Sequence, residues 1–583
     1  MLSLSAACNR GMAFGTDIAF TYGPFGCLIN RQFWPGQYGS AVVFCALFGA
    51  LAGLLATYGR APRTWRFLAL VWAGATATMM PDAALLALPL ALIWHADQRG
   101  ALALHALGVA ALGVLALTKF TLLPLGLSAV VAAAVIRAEH GRRPWVVAAL
   151  ADLCLYGLAL LTAWLAAGQA LTALPDYLAL GLEVSRGYAE AMAWREPDEP
   201  RRRMAIVVAA IMALTAVLMI RRPVGRERAA RIAWSCFALA WLALGYRHAL
   251  VRADEWHLAM GATMAGMLLL GRVAELSGHA RWLAGVLGLA SLGTCVVLAH
   301  SAGQWAAPLR HARQNLEWLM SPVATEAQLA QAWRVQAHQL RTDFSRFADL
   351  PGTYDILGHD QHLMRVAGLD RWQPRPVFQS YSVYTPRLAA LNAAHLESEG
   401  GPRYLIVRPT SIDGRLPSLD DAGIWPLLPR LYETEARLGP ALLLRRRNAA
   451  ALPAPSGAPV NWSATGWSAL PAVDGKQCFL RAAVQRSPGA RLRGLLWRPG
   501  AIYLELRSVA SQRHWRFRLV PAIAAQGFLL WPLVIDADGL AHWLDGTQGP
   551  VPADLELRLL DEDGGVLSAS LALSGAPFDS PRP

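Results

Sequence analysis

Long apolar runs separated by short arginine-rich breaks fill the first 301 residues, and the pattern changes character beyond them. A helix needs about 20 apolar residues to cross the hydrocarbon core of a bilayer, with roughly 17 to 25 as the working range. Ten segments approach that length: 39–57, 66–80, 82–96, 101–118, 120–137, 145–168, 204–220, 231–245, 256–272 and 282–301. After Gln304 the spacing becomes amphipathic. Leu316, Leu319, Leu329 and Trp333 recur among polar positions in 304–350 and predict helices forming a stalk or cap. Residues 351–447 combine short apolar runs at 403–408 and 441–444 with helical spacing over 387–397, which predicts a small α/β layer. A proline- and alanine-rich stretch at 450–459 reads as a linker. Beyond it, apolar and charged residues alternate in 501–509, 514–520 and 554–561, predicting an antiparallel β-sandwich. The expected organisation is a polytopic α-helical membrane domain of about ten spans over 1–303, an exported α/β domain over 304–449, a linker, and an exported β-sandwich over 460–583.

Composition agrees with a bilayer-embedded half: 55% of the 583 residues are hydrophobic and 16% charged. The net charge of +13 does not imply a nucleic-acid partner, because the arginines cluster in short loops between apolar runs, where they anchor helices at a lipid surface. Of 53 basic residues only Lys119 and Lys476 are lysine, which with the abundant alanine suggests a GC-rich bacterial genome. Seven cysteines include one, Cys478, after residue 301, so the second half is no disulfide scaffold; Cys8 and Cys27 are the plausible pair.

Alternate loops carry the arginines: Arg60, Arg63 and Arg66; Arg99; Arg137, Arg142 and Arg143; Arg221, Arg222, Arg226, Arg228 and Arg231; Arg272 and Arg281. Positively charged short loops stay on the cytoplasmic side, which places the N-terminal segment and everything after residue 301 in the periplasm of a bacterial inner-membrane protein. The run Arg201, Arg202 and Arg203 breaks this rule. The opening stretch lacks the basic start of a signal peptide, so either the first span inserts with its N-terminus out or a helix precedes the given start.

This topology brings four polar segments to one face: GTDIAFTYGPFG (15–26), the junction Leu117-Thr118-Lys119-Phe120, a loop containing GLEVSRGYAEAMAW (181–194), and YRHALVRADEWH (246–257). Ionisable residues at membrane depth are costly and mark sites. Asp17 is the candidate catalytic acid/base, and Tyr22, Lys119, Glu183, Arg186, Tyr188, His248, Arg252, Asp254 and His257 are candidate substrate-binding residues. A carboxylate facing arginine, lysine and histidine suits transfer from a phosphate-linked donor: the cations neutralise the departing phosphate, and the acid takes a proton from an acceptor hydroxyl or helps hold a divalent cation such as Mg or Mn. The competing roles are structural: helix-end anchors for the charged residues, aromatic belts for Tyr246 and Trp256, and a local turn cap for Asp17. In RPVFQSYSVYTP (375–386), Phe378, Tyr381 and Tyr384 can stack on sugar rings, but core or interdomain packing is the favoured reading. No Walker loop, dinucleotide fingerprint, HExxH or nucleophile elbow is present.

An acid in the first exported loop, many spans, later exported loops with arginine and histidine, and an exported C-terminal domain together resemble the GT-C superfamily of glycosyltransferases that use polyprenyl-phosphate sugars. The resemblance covers roughly 11–300 as architecture, and only the first loop and YRHALVRADEWH as motif. It implies a polyprenyl-phosphate-linked sugar donor, a lipid, glycan or protein acceptor, membrane lipids as surroundings, and Asp17 as the family's acid. Ile18 follows where the family often has a second acid, which leaves metal dependence open. Two other readings compete: a polysaccharide polymerase, which needs no first-loop acid, and a transporter or flippase of lipid-linked glycans. Transporters place polar residues near the bilayer midplane, whereas only His105 and Asp152 lie well inside the predicted spans.

Overall fold

The computed structural model describes the chain except residues 31, 59–80, 140–143, 194–197, 274–275, 302–306, 349, 359–360, 449–459, 463–465, 474, 563 and 579–583. The predicted segment 66–80 and the whole of the expected linker lie outside the described residues. Each of the other predicted apolar segments is occupied by a helix, because a chain in hydrocarbon must satisfy its own backbone groups. After a short buried helix α1 (Leu2–Asn9) come α2 (Tyr38–Tyr58), α3 (Pro81–Arg99), α4 (Leu102–Leu115), α5 (Leu122–Ala138), α6 (Trp145–Ala166), α7 (Leu174–Met192), α8 (Glu199–Arg221), α9 (Arg228–Arg252), α10 (Glu255–Arg272) and α11 (Gly278–Ser301). Among the described residues four helices are long and apolar enough to cross a membrane: Trp145–Ala166, Glu199–Arg221, Arg228–Arg252 and Gly278–Leu298. Shorter apolar helices include Tyr38–Ala52, Leu85–Asp97, Leu102–Leu115 and Leu122–Ala138.

Among the described residues, the loops bearing Arg137, Arg222 and Arg226, and Arg272 share one end of the helices, whereas Arg60, Arg63, Arg66, Arg142 and Arg143 lie outside the described residues. Glu139 accepts from the backbone N–H groups of Arg226 and Glu227 at 2.9 and 2.6 Å, and Arg272 donates to the Arg222 carbonyl at 3.2 Å. Near the same end His105 lies 2.7 Å from Asp97 and 3.0 Å from Asp152, and Arg137 donates to both Asp152 oxygens at 2.8 Å. The two polar residues noted inside the spans thus belong to a polar cluster joining α3, α4, α5 and α6. At the opposite end, the rule-breaking arginines are matched by acids. Arg201 pairs with Glu255 at 2.8 Å and Asp198 at 3.2 Å, while Arg203 pairs with Glu199 at 3.0 Å.

The C-terminal half docks on that opposite end. Helices α12 (Ala307–Met320) and α13 (Pro322–Asp343) follow the bundle, and Trp333 of α13 packs edge-on against Trp34, with ring centres 5.4 Å apart. A four-stranded mixed sheet in the order β1-β2-β4-β3 follows: β1 (Tyr354–Leu357) runs parallel to β2 (Tyr404–Val407), and β3 (Tyr432–Leu438) and β4 (Ala441–Arg446) are antiparallel. Helix α14 (Pro386–Glu397) falls where helical spacing predicts one. The last region forms two four-stranded sheets: β10 (Phe528–Trp531), β7 (Cys478–Arg486), β12 (Val566–Ser574) and β5 (Val460–Trp462); and β6 (Ser468–Ala469), β11 (Leu555–Asp561), β8 (Ile502–Ser508) and β9 (Arg513–Leu519). Leu480, Leu504, Leu557 and Leu571 from both sheets share one buried core with Leu180 and Val184 of α7 and with Val377 and Tyr384. The helical half and the β-rich half are therefore joined by apolar packing.

Candidate functional site

Three polar segments meet where the halves join. Gly23 donates to the Thr118 carbonyl at 3.2 Å, Phe25 to that of Leu117 at 3.0 Å, and Phe120 to that of Thr21 at 2.9 Å. This strand-like pairing puts Tyr22 opposite Lys119, whose ammonium sits 5.2 Å from the centre of the Tyr22 ring. The close approach requires glycine: a Cβ on Gly23 would lie 2.5 Å from the Leu117 carbonyl oxygen. Cys8 and Cys27, the expected pair, are disulfide-bonded with Cα atoms 6.5 Å apart and close the loop on itself.

The YRHALVRADEWH segment makes a helix–turn–helix corner. Helix α9 ends at Arg252, Ala253 adopts a left-handed conformation (φ 53°), and Asp254 caps α10 by accepting the His257 N–H at 3.0 Å. The same carboxylate oxygen lies 2.7 Å from His257 Nδ1. His248, one turn before the end of α9, brings its ring within 4.9 Å of the His257 ring, centre to centre. Burial alone would raise the Asp254 carboxyl; the His257 ring and N–H together with Arg252 outweigh it and hold it at about 2. Arg252 reaches Asp254 at 3.4 Å and grips Asp413 with two bonds of 3.2 Å.

The third segment differs from expectation. Residues 181–192 are not a loop but the second half of α7, because Tyr177, Leu180, Gly181 and Val184 form an apolar stripe at helical spacing. Tyr188 continues that stripe. Burial raises its phenol above the ordinary value, with Lys119 and Arg252 pulling the other way. Arg186 lies on the opposite side of the helix and is exposed, and Glu183 also stands off the stripe. The C-terminus of α7 is held by two arginines: Arg415 donates to the Ala191 carbonyl at 2.5 Å, and Arg518 to those of Ala191 and Glu190 at 2.9 and 3.0 Å. Cations there satisfy both the open carbonyls and the helix dipole.

Tyr22, Lys119, Tyr188, His248, Arg252, Asp254 and His257 thus gather as a half-buried group of cations, rings and one capping acid. Asp413 and Tyr381 also belong to the group, and of the two only Tyr381 is noted in the sequence, as a ring able to stack on sugars. Asp413 follows only from the fold, being 161 positions from Arg252. Tyr381, whose phenol burial pushes up to about 12, feels the charge of Arg252 and lies beside Tyr188. The Asp-Gly pair at Asp413-Gly414 signals a turn, and nothing in it names a partner.

Asp17 is placed differently. It is exposed, and its carboxylate accepts the Ala13 N–H at 3.0 Å within its own turn, while its backbone N–H donates to the Ala13 carbonyl at 2.8 Å. Among the described residues its hydrogen bonds stay inside that turn, and its charge is felt at His395 in the α/β region. Tyr22 is five positions further along, so Asp17 lies within roughly 17 Å of it along the chain. The turn is wedged against α7: Gly15 has φ +100°, and a Cβ there would sit 2.5 Å from the Tyr177 nitrogen. Downstream, Ala19 donates to the Pro376 carbonyl at 2.8 Å, and the Phe20 and Phe378 rings pack 4.9 Å apart. Phe378 and Tyr384 are accordingly buried packing residues. No group of three His, Cys, Asp or Glu side chains among the described residues is arranged to hold a metal ion.

The capping geometry gives a direct expectation. Asp254→Ala removes the N-cap and the charge together, whereas Asp254→Asn keeps a capping oxygen and loses only the charge, so the alanine variant is expected to be about 1 kcal/mol less stable than the asparagine one. Because the carboxyl is depressed from 3.8 to about 2, its charge contributes fully above the ordinary value and is lost as pH falls towards 2. Thermal unfolding of the two variants at neutral pH should separate them; equal losses would show that the charge rather than the cap matters.

No family model matches the chain, and no curated protein matches it in sequence. Among solved structures, a cryo-EM structure of arabinosyltransferase EmbB from Mycobacterium smegmatis is similar at a TM-score of 0.23 and 14% identity, covering 100% of this chain and 64% of that one. A likeness at that score assigns no residue a role, and the chain spans less than two thirds of the EmbB chain.

Proposed function

We propose that this protein is a membrane glycosyltransferase that moves a sugar from a polyprenyl-phosphate carrier to a lipid, glycan or protein acceptor on the periplasmic face of a bacterial inner membrane. The observation that carries the reading is the gathering of Lys119, Arg252, His248 and His257 at one end of apolar helices, beside a first loop bearing an exposed acid. A half-buried group with Lys119 and Arg252 as its cations suits a lipid-borne phosphate: the carrier's chain stays among the helices while its head meets Lys119 and competes with the carboxylates for Arg252. Tyr22, Tyr188 and Tyr381 supply rings and hydroxyls for the sugar.

In the proposed reaction Asp17 takes the proton from an acceptor hydroxyl as that oxygen bonds to the anomeric carbon. The bond from that carbon to the carrier's phosphate oxygen breaks, and polyprenyl phosphate departs with the electron pair. Lys119 and the Arg252–His257 corner stabilise the departing charge. Asp17 suits the base because, unlike Asp254 and Asp413, it has no cation beside it among the described residues. Its turn would bring acceptor and donor together once both are bound.

Binding of the released product tests this reading. Protein in nanodiscs is expected to retain radiolabelled polyprenyl phosphate, and Lys119→Ala to weaken retention by about 10- to 100-fold, the worth of one hydrogen bond to a charged group. Unchanged retention in Lys119→Ala would remove the phosphate from this group.

A further inference from the structure

We infer that a nine-residue helix of the β-rich half, α15 (Pro488–Leu496), lies in the membrane interface as a lipid-facing foot. Ser487 caps it by accepting the Ala490 N–H at 3.2 Å, and it contains no buried residue. Leu492, Leu495 and Leu496 are 56, 64 and 60% exposed. They stand at i, i+3 and i+4, which places them on one face, with Arg491 exposed beside them. Three neighbouring leucines turned outward on so short a helix need a cover.

The helix they sit on is fixed against a span. Tyr246 donates from its hydroxyl to the Leu496 carbonyl, and Arg247 donates to the carbonyls of Gly494 at 2.5 Å and Leu495 at 3.3 Å. Both donors occupy the last turns of α9, one of the helices apolar and long enough to cross a membrane. Tyr246 is also seven residues after Leu239 and fourteen after Ile232, which are 44 and 53% exposed. Seven-residue steps keep to nearly one face of a helix, drifting by about 20° each. Ile232, Leu239 and Tyr246 therefore mark the stripe of α9 that looks out from the bundle into lipid, and α15 is hydrogen-bonded to the top of that stripe. Trp256, 40% exposed at the start of α10, adds an aromatic close by in the chain. Leucines on one side of a short helix, arginine beside them and attachment at the end of a span fit a helix bedded at the headgroup–acyl boundary. The occupant is the bilayer itself. The inference rests on α9 being a span, not on the transferase reading.

Fluorescence quenching by lipid tests it in the full-length protein. Cys45, Cys154 and Cys236 are exposed and would be replaced by alanine; Cys295 and Cys478 are buried, and Cys8 and Cys27 are joined. A Leu495→Cys variant, labelled with an environment-sensitive fluorophore in nanodiscs, is expected to lose most of its emission when the lipids carry bromine near the top of the acyl chains. The same label at an Ala510→Cys position, exposed at the far end of β8, is expected to lose little. Equal quenching at the two positions, or none at 495, would overturn the inference. So would disulfide cross-linking through position 495 between copies, which would make the face an interface with a second chain. An unchanged melting temperature in the labelled variant shows that the label has not displaced the helix.

Discussion

Transfer activity in Asp17→Asn is expected to fall by about 100- to 10,000-fold while the protein stays folded, the range lost with a general base. Asparagine keeps an oxygen able to accept the Ala13 N–H, so the turn that Asp17 closes survives. Only the charge and the proton-accepting lone pair go. If Asp17 merely caps its turn, the substitution should cost well under 1 kcal/mol and leave the rate almost untouched. The two outcomes differ by orders of magnitude, so a folded variant with near-normal transfer would make Asp17 structural and leave the proposed mechanism without its base.

The second large effect is on stability and belongs to Arg375. It is fully buried, bonded to Asp355 at 2.7 Å and to Asp421, and donates to the Ile356 carbonyl at 3.1 Å; Asn392 completes the network by donating to Asp421 at 2.7 Å. Arg375→Met leaves two buried carboxylates without their cation. Removing one partner from a buried network typically costs about 3 to 5 kcal/mol. Burial already pushes the Asp421 carboxyl up to about 6 against the pull of Arg375, and without the arginine it would take up a proton more readily. Denaturant titration should show the loss, and it should be smaller at pH 5 than at pH 8, because protonation relieves the stranded charge. A loss below about 1 kcal/mol would contradict the structural weight given to this network. Pro376, next in the chain, accepts from Ala19, so the same variant should disturb the first loop and depress transfer as well.

The helices are legible in the sequence because long apolar runs bounded by arginine suit a bilayer and little else, and the strands β8, β9 and β11 because alternation is unambiguous there. The corner at 246–257 is legible as a cluster of ionisable residues ending one apolar run and opening the next. The second half of α7 reads as a loop because Glu183, Arg186 and Glu190, which lie off the apolar stripe, raise the polarity of the segment and mask the spacing of Tyr177, Val184 and Tyr188. Asp413, Arg415 and Arg518 are not legible at all. Their partners lie 161, 224 and 327 positions away, and contacts at such separations come from the docking of the two halves rather than from any local pattern. Burial also changes how the topology is best probed: Cys478 is fully enclosed and would not report its side of the membrane by labelling, whereas Ala510→Cys would.

If Lys119 and Arg252 serve transfer from a lipid-linked phosphate, the protein must release polyprenyl phosphate from its donor. Purified protein in nanodiscs, incubated with a panel of radiolabelled polyprenyl-phosphate sugars together with a mixture of lipid, glycan and peptide acceptors, tests it most directly. Release of polyprenyl phosphate from at least one donor, abolished in Asp17→Asn and strongly reduced in Lys119→Ala, is the predicted result. A folded protein that releases no polyprenyl phosphate from any donor, yet moves lipid-linked glycan across vesicle membranes, would contradict the account and make the protein a transporter.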